Sequence, residues 1–272
     1  MAHGRILLQT PVRSAIRYQP FALVFLLIAL GGCVQSPEPN HPDQVVARLT
    51  ALLKDPDPVV RRTAALSLGK IADPGVVVAL REGLFDPDEI VRQYSAWALG
   101  NLGESAIDPA GLVLVQQLND PSPAVKAAVA QAIGKIGATQ GMVELLGEAL
   151  DEADPATRRA VVQALGWLES PSAYQMLLDA LTDEDAAVRQ GAVAALGELG
   201  DGHALPAIRQ RLLKDPDVGV RSEAAFRLGK LGDDSLLPML QFISAKDEDA
   251  RVRRWAAWAV TFLTEGSANS KT

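Results

Sequence analysis

Apolar residues recur at spacings of three and four along most of the chain, and short polar turns interrupt them at regular intervals. The stretch from Asp215 to Gly232 shows the unit. An Asp-Pro turn comes first, Asp217 is placed to cap a helix, apolar residues follow at helical spacing, and Gly229 stands near the end. This pattern predicts a turn followed by a short amphipathic helix.

The same unit recurs along the chain. Each copy has a basic residue, 31 to 34 residues after the previous one: Arg61, Arg92, Lys126, Arg158, Arg189, Arg221 and Arg253. Six positions before each basic residue stands an acidic one: Asp55, Asp86, Asp120, Glu152, Asp183, Asp215 and Asp247. A glycine follows eight positions after the basic residue in every copy except the last, which has Thr261. A period of this length indicates a stack of helical hairpins.

A second apolar segment precedes each turn and predicts the first helix of each hairpin. These segments cover residues 45–53, 76–84, 112–118, 142–150, 172–181, 205–213 and 236–243. On the second helix, at about 100° per residue, positions −1, +3, +4, +7 and +10 from the basic residue share one face. They are mostly Val, Ala and Leu, so they predict the core. The glycine at +8 predicts close approach of neighbouring helices or of the following turn.

The opposite side of the second helices, at positions +2, +5 and +9, carries all four tryptophans of the chain. A solvent-facing stripe normally avoids such residues, so this side is a candidate recognition surface. The predicted partner-binding residues are Tyr94, Trp97, Gln131, Gln163, Trp167, Phe226, Trp255 and Trp258. Two other interpretations are open. Neighbouring helices would shield the rings, or Trp255, Trp258 and Phe262 would pack against the C-terminal tail or a second subunit.

The Asp-Pro-x-x-x-Val-Arg-x-x-Ala-Ala-x-x-Leu-Gly-x-Ile/Leu-Gly pattern resembles the HEAT repeat over residues 43–265, particularly the short form named after phycobilisome lyases. The resemblance implies an all-α fold, an α-solenoid of about seven helical hairpins in a curved right-handed stack. It also implies that second helices line the concave surface, and that the acidic and basic columns form a structural hydrogen-bonded ladder. Glu152 departs from the pattern, because its Asp-Pro pair is shifted to Asp154 and Pro155.

The N-terminus has the features of an export signal. A basic N-terminal segment precedes the apolar run at residues 21–30. This run is too short to cross a bilayer core of about 30 Å as a helix. Leu30-Gly31-Gly32-Cys33 is similar to the bacterial lipobox. This resemblance implies that residues 1–32 are a lipoprotein signal peptide and that Cys33 carries the lipid. The alternatives are an uncleaved anchor and an ordinary signal peptide.

The flanking segments complete the expected organisation. Residues 33–42 are rich in proline and predict an extended tether, and residues 266–272 are small and polar and predict a flexible tail. Val34 follows the lipidated position, and the family rule for that position implies anchoring in the outer membrane, facing the periplasm, if the organism has one. The predicted location is therefore the cell envelope.

Composition narrows the function classes. The chain has 26 Lys and Arg against 33 Asp and Glu, a net charge of −7, which disfavours binding to nucleic-acid phosphates. After the signal peptide the only histidines are His41 and His203, so no histidine-based triad or metal cluster is expected. Neither a GxxxxGK[ST] loop nor a GxSxG elbow occurs. HEAT-like metal hydroxylases carry repeated His-Glu pairs, which this chain lacks.

The sequence therefore predicts a non-enzymatic scaffold without cofactor or metal. It would be tethered through Cys33 and bind a protein or peptide partner on the aromatic stripe. Two alternatives of other classes stay open. One is a lyase- or chaperone-type subunit acting on a tetrapyrrole-bearing protein, as the namesake of the repeat suggests. The other is a structural component of an envelope complex that uses its convex face and its ends.

Overall fold

The computed structural model describes residues 42–152, 154–168, 170–231 and 234–269. The chain divides into two units, up to His41 and from Pro42 onward, and the described part belongs to the second unit. The predicted signal peptide, Cys33 and nearly all of the tether lie outside the described residues.

The described part is all-helical, as the sequence predicts, with fourteen α-helices and no strand. The helices are α1 (Pro42–Leu52), α2 (Pro58–Ile71), α3 (Val77–Gly83), α4 (Glu89–Asn101), α5 (Ile107–Gln117), α6 (Pro123–Ile136), α7 (Gln140–Glu152), α8 (Pro155–Leu165), α9 (Pro171–Ala180), α10 (Ala186–Leu199), α11 (Leu205–Lys214), α12 (Val218–Leu231), α13 (Leu237–Lys246) and α14 (Ala250–Asn269). Odd-numbered helices are the first and even-numbered helices the second of each hairpin. Helix α14 extends past residue 265, where the sequence predicts a tail.

The second helices begin where the turn residues cap them. Asp57, Asp88, Asp154 and Asp185 each accept a hydrogen bond from a backbone N–H in the first turn of their helix, and such caps satisfy N–H groups that have no partner within the helix. Asp217 accepts in the same way from the N–H of Val220, as predicted. The repeated turn, in which the capping Asp stands two positions after an acidic residue, therefore fixes the start of these second helices.

The predicted core face is buried along the array. The +7 residues Leu68, Leu99, Ile133, Leu165, Leu196 and Leu228 are fully buried, and the +3 and +4 residues beside them are buried too. Two predicted core positions are exposed instead, Ile71 at 45% and Ala257. They lie in the first and the last described repeats, each of which has a described neighbouring hairpin on one side only.

Glycines at the +8 position allow the second helices to approach closely, as the sequence predicts. A Cβ added to Gly100 would lie 2.9 Å from the Cα of Ala132, and one added to Gly229 would lie 2.9 Å from the Cα of Ala259. Consecutive second helices also contact each other more extensively than consecutive first helices do. The second helices therefore form the more tightly packed layer of the stack, and their placement on a concave side stays a prediction.

Candidate functional site

The charged columns form a structural ladder that links each repeat to the next. Nε and Nη2 of Arg189 each donate to a carboxylate oxygen of Asp215 at 2.9 Å, while Nη1 donates to the backbone oxygen of Asp183 at 2.9 Å. The same bidentate arrangement joins Arg61 to Asp86, Arg92 to Asp120, Arg158 to Asp183 and Arg221 to Asp247. The columns connect successive hairpins, so their structural interpretation is confirmed.

Each Arg–Asp pair is one rung of this ladder, and the buried rung formed by Arg189 and Asp215 shows why the pairs stay charged. Asp215 is 3% exposed. Burial by itself raises the pKa of its carboxyl, but the hydrogen bonds from Arg189 and from the N–H of Asp217 together lower that pKa below its ordinary value. The carboxylate therefore stays ionised against its arginine. Charges held in this way are unavailable to a partner, and the candidate site must lie elsewhere.

One rung is different, between the third and fourth repeats. Lys126 takes the place of arginine, and its Nζ donates to the hydroxyl of Thr157 at 2.8 Å and lies 3.6 Å from Asp154 Oδ2. No bidentate pair forms here, because an ammonium presents one charged centre where a guanidinium presents a planar fork. The departure from the repeat pattern at Glu152 coincides with this gap.

Five of the predicted partner-binding residues converge on one depression of about 460 Å³. Its lining includes Tyr94, Trp97, Gln131, Gln163 and Trp167, which come from α4, α6 and the end of α8, together with the alanines of α6, Ala124, Ala127 and Ala128. The short side chains of these alanines leave α6 open between the aromatic residues of α4 and Trp167 at the end of α8. None of the residues that line this depression is charged.

The tryptophans of this depression are partly packed and partly free. Trp167 is 50% exposed, yet its Cβ and ring lie directly against Gly134 of the previous second helix. Trp97 packs in the same way against Gly69 and is half-buried. Neighbouring helices therefore shield one edge of each ring, and the other edge faces the depression. Gln131 and Gln163 are exposed beside them.

A second depression of about 1230 Å³ continues from the first and shares Gln163 and Trp167 with it. Its charged lining residues are Arg159, Glu198, Asp201, Glu223 and Arg227. Arg227 donates to Glu223 at 2.7 Å and also pairs with Glu198, so the arginine charge is internally compensated. Tyr174 of α9 also lines this depression. Burial and the negative charge of Asp201 raise the pKa of its phenol.

Sequence reasoning did not identify Arg227, although the sequence contains the signal. The +6 position is alanine in most repeats, Ala98, Ala132, Ala164, Ala195 and Ala259. A long charged side chain that interrupts a column of alanines at a helix contact marks a local exception. Here Arg227 packs where a Cβ of Gly197 would stand, at 2.5 to 2.7 Å, and its head reaches the second depression.

The remaining predicted residues form a separate aromatic cluster near the end of the array, made of Phe226, Trp255, Trp258 and Phe262. The ring centroids of Phe226 and Trp255 are 5.1 Å apart, those of Phe226 and Trp258 are 5.2 Å apart, and Trp258 stacks on Phe262 at 5.1 Å. Trp255 and Phe262 are still 42% and 46% exposed. None of these four rings lines the two depressions, so the predicted stripe splits into two surfaces.

Two features of the described part of the chain concern metal binding and membrane insertion. Within 42–269, apart from the few residues not described, no group of three His, Cys, Asp or Glu side chains could hold a metal ion. In that same part of the chain, no helix combines the length and the apolar character needed to cross a bilayer.

Comparison with solved structures finds similar chains at low identity and with TM-scores below 0.5. YibA of E. coli is 22% identical over 81% of this chain and 82% of that chain, with a TM-score of 0.47. Human deoxyhypusine hydroxylase is 24% identical over 82% and 85%, with a TM-score of 0.42. The CpcE–CpcF phycocyanin lyase complex of Nostoc sp. PCC7120 is 21% identical over 86% and 100%, with a TM-score of 0.46.

Sequence comparison gives the family. No curated protein matches the chain significantly. A family model described as HEAT repeats matches residues 27–110, 111–192 and 175–261. This match spans well over half of the sequence and agrees with the hairpin period and the ladder, so the chain belongs to the HEAT-repeat family.

Proposed function

We propose that this protein is a membrane-tethered scaffold that binds a protein or peptide partner in the groove formed by its two depressions. The observation that carries the proposal is the convergence of Tyr94, Trp97, Gln131, Gln163 and Trp167, from three successive repeats, on one uncharged depression. Aromatic rings supply large contact areas with few rotatable bonds, and amides supply both donors and acceptors. This combination suits recognition of a polypeptide surface.

Site-specific photocrosslinking tests the groove. A photoreactive amino acid at Gln131, which is exposed inside the first depression, should capture a partner in native membranes. The same replacement at Gln116 is the matched control, since it is an exposed glutamine on the first helix of the same repeat. Equal capture at both positions, or capture only at Gln116, would contradict the groove and indicate that the partner binds the convex face. That result would favour the structural-component alternative.

The tether is proposed on the sequence of the N-terminus. The apolar run, the Leu-Gly-Gly-Cys motif and the coincidence of that motif with the only cysteine of the chain support lipidation at Cys33. The variant Cys33→Ser is expected to move the protein from the membrane pellet to the soluble fraction while its helical circular dichroism stays unchanged. Quantitative pelleting of this variant would contradict the tether. A tetrapyrrole that co-purifies with the wild type would instead favour the lyase-type alternative.

A further inference from the structure

In the first depression, equivalent residues of three successive second helices follow one another along the array. Its +5 positions on α4, α6 and α8 are Trp97, Gln131 and Gln163, which are equivalent residues on successive second helices. Helices packed side by side lie about 8–10 Å apart. An elongated ligand that lies along the array therefore meets a recognition side chain at each such interval, and a ligand with a matching repeat fits all of them at once.

Polypeptide conformations differ in whether they match this interval. A polyproline II helix rises about 3.1 Å per residue and completes a turn in three residues, so equivalent positions recur every ~9.3 Å. A β-strand rises about 3.3 Å per residue and alternates its faces, so residues on one side recur at about 6.6 or 13 Å. In an α-helix, with a rise of about 1.5 Å and 3.6 residues per turn, residues on one face recur about every 5.4 Å, or about every 10.5 Å at positions seven apart. Among these repeats, only that of polyproline II falls within the helix spacing of about 8–10 Å.

The chemistry of the depression favours the same ligand. A charged segment would lose hydration there without an opposite charge to compensate it, because the lining is uncharged. Proline has no backbone N–H and offers one carbonyl acceptor per residue, which the amide groups of Gln131 and Gln163 can satisfy as donors. Its ring packs on aromatic faces such as those of Trp97 and Trp167. A sugar would bring hydroxyls around its whole rim, and the three alanines of the lining offer them no side-chain partners.

We propose that the first depression binds an uncharged, proline-rich segment in the polyproline II conformation, running across α4, α6 and α8 with every third residue over successive second helices. The inference rests on the proposed function and specifies the partner. A segment of roughly nine residues, three turns of the polyproline II helix, spans the three helices. Side-chain specificity then comes from the rings on α4 and at the end of α8, and backbone recognition from Gln131 and Gln163.

Binding of fluorescein-labelled nonaproline to the full-length chain, measured by fluorescence anisotropy, tests the proposal. A Gly-Ser peptide of equal length is the flexible, uncharged control, and a chitooligosaccharide competitor tests the sugar alternative. Nonaproline is expected to bind at least about tenfold more tightly than the Gly-Ser peptide, and the sugar is expected not to displace it. Equal affinity for the two peptides, or displacement by the sugar, would overturn the proposal.

Two glutamine variants locate the site. Gln131→Glu removes an amide donor and places a charge inside the uncharged depression at an exposed position, so it should weaken nonaproline binding about tenfold or more without affecting folding. Gln116→Glu makes the same change on the outer layer and should leave binding unchanged. If both variants bind like the wild type, the peptide lies elsewhere and the proposal is wrong.

The crosslinking experiment separates this proposal from the proposed function. A partner crosslinked from Gln131 through a helical or charged stretch would overturn the proline-rich ligand, yet would leave the groove as the binding surface. The absence of any crosslink would refute the groove itself.

Discussion

Removing one arginine from the ladder should lower the free energy of unfolding far more than removing an exposed arginine. In Arg189→Ala the Asp215 carboxylate keeps its buried position but loses two hydrogen bonds of 2.9 Å. The backbone oxygens of Asp183 and Glu184 each lose a hydrogen bond of 2.9 Å as well. Breaking a buried pair by removing one partner typically costs about 3–5 kcal/mol. Because Arg211 remains 3.4 Å from Asp215, we expect the lower end, about 3 kcal/mol.

Urea unfolding followed by far-ultraviolet circular dichroism measures this loss. The control is Arg251→Ala, which removes an arginine side chain that is 62% exposed and lies 3.4 Å from Asp249, and it should cost less than about 1 kcal/mol. The double variant Arg189→Ala, Asp215→Asn should lose less free energy of unfolding than the sum of the two single changes. The reason is that it leaves no buried charge without an opposite charge. A loss for Arg189→Ala as small as that of the control would refute the buried-ladder argument.

Three further changes test the packing and the acid sensitivity of the array. Leu165→Ala should cost about 2–5 kcal/mol because the side chain is fully buried, whereas Leu112→Ala, which is 49% exposed, should cost clearly less in the same urea titration. Gly229→Ala puts a Cβ within 2.9 Å of the backbone of the next second helix, so overpacking of about 1–3 kcal/mol should outweigh the gain in helix propensity; a higher melting temperature would contradict this. The hydrogen bond from Arg62, aided by backbone N–H groups, lowers the pKa of Asp88 to about 2. Since this pKa is depressed, its contribution to stability is present above about pH 4 and lost toward pH 2, and Asp88→Asn should lose less stability than the wild type over that interval.

The repeat pattern predicted the fold in detail because each column has the same physical task in every hairpin. Burial of the +7 leucines and close approach at the +8 glycines follow from helical periodicity and from the absence of a Cβ, and both are local properties of the sequence. The exposure of Ile71 and Ala257 could not be read from the columns. It depends on how many neighbours a hairpin has, and position within the array is not part of the repeat.

The candidate site was only partly predictable. The stripe at +2, +5 and +9 correctly brought Tyr94, Trp97 and Trp167 together, since equivalent positions on stacked helices must be neighbours. The sequence did not show that the stripe divides, with Trp255 and Trp258 in a separate cluster. Arg227 was missed because its importance depends on Glu198 of the preceding second helix, which its side chain reaches. The location of Cys33 at a membrane stays a prediction.

The gap in the ladder at Lys126 has a consequence for the way the array unfolds. The stability of stacked repeats is approximately a sum of contributions from each repeat and from each contact between neighbours. The contact between the third and fourth repeats lacks the arginine–aspartate rung that the others possess. Hydrogen exchange should therefore divide the array at this point into two cooperative blocks, each protected as a unit, and the first subglobal opening should separate α6 from α8. Because Gln131 and Gln163 stand on the two sides of that boundary, a ligand that bridges them would also join the two blocks, and its binding would appear as a slower exchange of both.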